Sequence, residues 1–175
     1  KIRWIRVFNM PLLVEGGNLM FVGNVLLTSE KTFSQNSKNR KQLLDFLLNT
    51  ENGRTYPDQV KYGAGRLVNN LIKFGYKPRT EGEVRKLLAT FTGVESENII
   101  KFPWMPGERT GHVDMYIGNI DSNVVAIPYI PTAVIELLGY MHERIFAEAT
   151  NAWLNERVSD LKSKGIVVAR VPMLA

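Results

Sequence analysis

Two short stretches of this 175-residue chain hold side chains suited to proton transfer and to charge recognition. The first is "TGHVDMYIGNIDSNVVAIP", residues 110–128, where His112, one of two histidines in the chain, stands two residues before Asp114. The pattern predicts the first arm of a β-hairpin, and in a strand residues i and i+2 face the same side. An imidazole and a carboxylate at one depth would make a titratable pair. The plainer alternative is a structural histidine, with Asp114 satisfying it or facing solvent. A metal site would need a further strong ligand, and no spacing here supplies one. The second stretch is "PLLVEGGNLMFVGNVLLTSE", residues 11–30, where Glu15 ends an apolar run and precedes Gly16-Gly17. Either the glycines reverse the chain and leave Glu15 exposed, or they admit another segment or ligand at close range while Glu15 projects into a cleft.

The elements that would position these residues follow from patterning. "KIRWIRVF" at the start reads as a strand, and "LMFVGNVLLT" (19–28) as a hairpin turning at Gly23-Asn24. The run "SEKTFSQNSKNRK" is polar, with Ser37 as the cap of a helix carrying Leu43, Leu44, Leu47 and Leu48. Gly53 and Pro57 break that helix, and a short helix is expected within 60–75. Thr80 with Glu83 has capping-box spacing, and Gly93 is placed to end the helix between them. "ENIIKFPW" predicts a strand ending at Pro103. "GHVDMYIG" and "NVVAIPYI" predict two strands joined near "NIDSN". One long helix is expected from about Thr132 to Lys164, with Leu138, Met141, Ile145, Ala149 and Ala152 among its apolar positions. Gly165 ends it, and "IVVARVP" is a last strand. This order argues for an α/β or α+β protein. Two hairpin-then-helix units, at 12–50 and 110–164, could be copies of one module, although their sequences do not repeat.

Composition bounds the functional classes. Hydrophobic residues make up 45% and charged residues 22%, as in folded globular chains. No apolar run approaches the roughly 20 residues needed to span a bilayer. The absence of cysteine excludes disulfides, thiolate metal ligands and a cysteine nucleophile within these residues, but leaves the compartment open, with the cytoplasm favoured. The net charge of +5 is scattered, which reads as a solvated basic surface rather than a nucleic-acid face. The chain begins at Lys1 without methionine, so a processed, cut or artificial N-terminus is expected.

Taken together and in order, "EGGN", "LLTSE", a strand ending in proline and "GHVD" resemble the guanidino-group-modifying (pentein) superfamily, in particular its agmatine deiminase and bacterial peptidyl-arginine deiminase branch. The resemblance covers most of residues 11–30 and 83–128, with looser agreement to Pro172. It implies a partial α/β propeller of two or more ββαβ-type blades, forming one domain over 1–175, with a helical insertion at about 45–80. It also implies roles. His112 would be the general acid/base and Glu15 would orient its ring. Asp114 would clamp a guanidinium, whose planar N–H donors suit carboxylates. Trp104 and Arg109 could shape a substrate entrance. His142, beside Glu143, reads as a partly exposed helix residue.

The departures from that pattern are specific. The family's nucleophilic cysteine is absent, and so is the aspartate that precedes its E-G-G segment. The expectation is therefore a fragment of a longer deiminase or a degenerate member, inactive by itself. A non-catalytic interaction module on the same scaffold is the alternative. The implied ligand is a guanidino small molecule or an arginine-containing peptide. Self-association through exposed blade edges is also expected, with no membrane partner and nucleic acid disfavoured. No cofactor is implied; some animal relatives use calcium, but no acidic cluster here is dense enough for it.

Overall fold

A computed structural model of the chain describes residues 10–48, 57–107 and 110–173. The expected strand at 1–8 and the break at Gly53 lie outside the described residues. The chain divides into two compact units, one of 14–31 with 94–175, the other of residues up to 13 with 32–93.

The first unit holds both sheets. Strands β1 (Met20–Val22) and β2 (Val25–Ser29) form the expected antiparallel hairpin, turning at Gly23 with φ 57°. Strand β3 (Ile99–Phe102) pairs parallel to β2, Leu26 opposite Ile99. Strands β4 (Gly118–Asp121) and β5 (Val124–Tyr129) form a second antiparallel hairpin, and β6 (Val167–Pro172) pairs parallel to β5. The two three-stranded sheets thus share one topology: a hairpin, a helical crossover, then a parallel strand. This repetition was expected from the order of elements, not from any repeat of residues.

One apolar core serves both sheets. Val22, Val25, Leu27 and Phe102 meet Val125, Ile127, Leu154, Leu161 and Ile166, together with Val113, Tyr116 and Ile117. The last three correct the sequence reading. "GHVDMYI" is not a strand: Val113–Met115 is a single 3₁₀ turn, and β4 starts only at Gly118. Val113, Tyr116 and Ile117 are buried at spacings of three and four, the period of a helical turn.

The long helix is also corrected. It is two helices, α5 (Thr132–Leu137) and α6 (Met141–Ser163), separated by an extended Leu138. Arg144 closes the break, donating from Nε to the Leu138 carbonyl at 2.8 Å and from Nη2 to that of Glu136 at 3.1 Å. Met141, Ile145, Ala149 and Ala152 face solvent. The buried stripe of α6 is Ala147, Thr150, Leu154, Arg157 and Leu161. Two polar members disguise it; Arg157 lies over the Trp153 ring at 5.0 Å and is paired with Glu156 and Asp160.

The second unit is helical. Helices α1 (Glu30–Asn36), α2 (Arg40–Leu48), α3 (Asp58–Lys73) and α4 (Glu81–Thr92) follow one another, α1 beginning in the first unit. The run read as merely polar therefore includes a helix. Leu43, Val68 and Tyr76 form a small core with Leu13, Leu44, Leu47 and Leu71. The Thr80–Glu83 capping box starts α4 and the left-handed Gly93 ends it, as expected. The cap of α2 is a correction: Ser37 bonds back to the Ser34 carbonyl, whereas Asn39 Oδ1 accepts from Gln42 N–H and Gln42 Oε1 from Asn39 N–H, both at 3.0 Å. Asn39→Ala is expected to destabilise this unit by about 1 kcal/mol in denaturant unfolding, and Ser37→Ala by only a few tenths.

Candidate active site

Each hairpin of the sheet-bearing unit is entered through a 3₁₀ turn, and each turn starts on an extended residue with a titratable side chain. Glu15, at φ −91° and ψ 142°, precedes the turn Gly16–Asn18. His112, at φ −92° and ψ 137°, precedes the turn Val113–Met115. The first turn is anchored by Asn18, fully buried, which donates its N–H to the Glu15 carbonyl at 3.0 Å and accepts the Ser29 hydroxyl on Oδ1 at 2.6 Å. The second is anchored by Val113 in the core. Burying the residue after His112 turns its neighbours, His112 and Asp114, outward on either side.

The two turns lie against each other, and their side chains meet. Glu15 Oε2 is 2.6 Å from His112 Nε2. Lys31, from the first turn of α1, donates Nζ to the same oxygen at 2.8 Å. Burial by itself would raise the Glu15 carboxyl, but the hydrogen bonds and charges of Lys31 and His112 outweigh it and hold the group below its ordinary value of 4.5. An ionised carboxylate only accepts, so His112 carries its hydrogen on Nε2. The other ring nitrogen, Nδ1, faces Asp114, with Oδ1 at 3.9 Å. The His112 side chain is 23% exposed and that of Asp114 52%, so both can be reached from solvent.

Gly17 makes the approach possible. A Cβ built there would lie 2.6 Å from His112 Nδ1 and 2.6 and 2.7 Å from the two Asp114 carboxylate oxygens, whereas at Gly16 it would meet nothing. Of the two readings of the diglycine, close approach of another segment is the one observed. Trp104 lies against Gly111, where a Cβ would be 2.5 Å from its Nε1, one residue before His112. Arg109 falls outside the described residues. His142 is in the first turn of α6, exposed, its ring stacked on Tyr140 at a centroid distance of 5.5 Å. Among the described residues no helix is long and apolar enough to cross a membrane. Nor do they include a group of three or more histidine, cysteine or acidic side chains fit to hold a metal.

Sequence reasoning passed over Lys31. Its signal is a cation two residues past a strand, in the first turn of a helix. There it opposes the helix dipole unless a carboxylate compensates. The helix itself was not foreseen.

No family model matches the chain, and no curated protein matches it. Among solved structures, an agmatine deiminase of C. jejuni aligns with 93% of this chain at 17% identity and a TM-score of 0.48. The chain spans 33% of that protein's length. A likeness that distant assigns no activity.

Two predictions follow from the geometry. Gly17→Ala should displace both His112 and Asp114, read as large shifts of their NMR signals in a folded protein, while Gly16→Ala leaves them in place. Because the folded Glu15 is depressed, its pairing adds stability that is fully present above about pH 4.5 and is lost as pH falls through the lower folded value. Glu15→Gln should flatten that acid limb in thermal unfolding measured across pH.

Proposed function

We propose that this chain carries the acid–base and guanidinium-holding part of a deiminase-type hydrolase, which exchanges a guanidino nitrogen for oxygen and releases ammonia. The observation that supports this reading most is the convergence of Glu15, His112 and Asp114 over Gly17, with Nε2 of the histidine engaged and Nδ1 turned toward the aspartate. In this reading the two sheets of like topology are blades of an α/β propeller, and residues about 45–80 are a helical insertion into it.

Asp114 would take the planar cation of agmatine, arginine or a peptidyl arginine through two N–H donors. Trp104 would border the entrance. These 175 residues hold no cysteine, so the nucleophile in this scheme is a thiolate from outside them. Its sulfur bonds the guanidino carbon. The imidazolium Nδ1–H gives its proton to the departing nitrogen, the C–N bond breaks, and ammonia leaves an amidino-thioether. The neutral Nδ1 then takes a proton from water as the water oxygen bonds the carbon. The C–S bond breaks with its electron pair returning to sulfur, and the remaining hydroxyl proton passes to solvent, leaving a neutral ureido product. Glu15 stabilises the imidazolium at the start and orients the ring throughout.

The lack of cysteine is also the observation that favours the second reading, a module that binds arginine-like groups without turning them over. Titration with agmatine, and with putrescine as an amine lacking the guanidinium, tests what the two share. Agmatine should shift the His112 ring signals and putrescine should not. Asp114→Asn should weaken agmatine binding about tenfold or more, the worth of a charge-assisted pair. No ammonia should be released by these residues alone. Agmatine binding indifferent to Asp114 and His112 would remove both readings, and ammonia release without an added thiol would remove the external nucleophile.

A further inference from the structure

The Lys31 ammonium spans the Glu15–His112 contact. It donates to Glu15 Oε2 at 2.8 Å and to the Thr110 carbonyl at 2.7 Å. Thr110 is two residues before His112, and its hydroxyl accepts the His112 N–H at 3.3 Å. One cation therefore touches the carboxylate on one side of the contact and, on the other, the backbone that carries the imidazole. Its side chain is only 13% exposed, so water and salt screen its charge weakly.

We propose that Lys31 is the positioning residue of this site: it ties the turn bearing Glu15 to the loop bearing His112 and, by sharing Glu15 Oε2, limits how strongly that carboxylate stabilises the imidazolium. The proposal rests on the reading of His112 as the proton-transferring group. The charged groups facing the ring are Glu15 from the turn before β1, Asp114 from its own turn and, through Glu15, Lys31 from α1. An acid–base group serves two opposite steps best when neither protonation state is strongly favoured. Two carboxylates beside one imidazole would favour the charged state heavily. The ammonium offsets one of them, leaving Asp114 as the carboxylate turned to an incoming cation. Lys31 touches no reacting atom in this scheme and acts through Glu15 and Thr110.

The test is a ring-NMR pH titration of both histidines in the unaltered chain, Lys31→Met and Lys31→Arg, with His142 as internal reference. Lys31→Met should raise the His112 midpoint by about half a pH unit or more, since a neighbouring cation is lost. His142 should not move. Lys31→Arg, which keeps the charge and both donors, should restore the original midpoint. If Lys31→Met does not fold, Lys31→Gln retains a donor, removes the charge and should give the same rise. An unchanged His112 midpoint in the neutral variants overturns the proposal, as does an arginine variant that behaves like them. The outcome separates from that of the functional reading. A rise at His112 with no response to agmatine sinks the deiminase reading and keeps the role of Lys31. An agmatine response with an immobile midpoint does the reverse.

Discussion

The Glu15 carboxylate receives two donors through one oxygen, the imidazole Nε2 at 2.6 Å and the Lys31 ammonium at 2.8 Å, and the rest of the site is arranged so that this can happen. Glu15 is partly withdrawn from water, which alone would favour its neutral form. The two donors reverse that preference. Each requirement then falls on a particular residue. Gly17 lacks a side chain where His112 and Asp114 draw near. Asn18 pins the first turn by accepting the Ser29 hydroxyl at the end of β2. Val113 sits in the core so that the residues on either side of it cannot.

The core beneath these turns is shared between the two sheets, so the spacing of the turns is set by apolar packing and not by the polar contact itself. That order of dependence matters energetically. A partly buried ion pair offsets much of its attraction against lost hydration, whereas a common core of Val22, Leu27, Val113, Ile117 and Val125 contributes more and holds its geometry closely. The turns are thus delivered to each other by the core, and the charged groups refine an approach already made.

Much of this was legible in the chain. The hairpin announced by Gly23-Asn24, the Thr80–Glu83 box and the stops at Gly93 and Gly165 depend on local backbone chemistry, and local chemistry can be read from adjacent residues. The convergence of Glu15 and His112 across 97 positions came only from the order of two short motifs, since nothing local encodes it. The failures share a cause. "GHVDMYIG" reads as a strand because apolar residues flank its polar ones, yet Val113, Tyr116 and Ile117 carry a turn period too short to stand out. The inner face of α6 was misjudged because Thr150 and Arg157 occupy core positions in polar guise. Ser37 lost the cap of α2 to Asn39, two residues on, which has Gln42 at the right distance for a reciprocal bond.

Glu15 and His112 occupy the same place in their respective modules: an extended residue, then a single 3₁₀ turn, then a hairpin whose second strand receives a parallel partner. The contact between them is therefore made of two half-sites, one from each copy of a repeated architecture. A module of this kind standing alone would present a lone acid or a lone imidazole to water. The pairing of acid with base is a property of the two modules together, because each brings its own side chain to a position facing the other's. A cut between the modules would therefore leave each with one half of the pair.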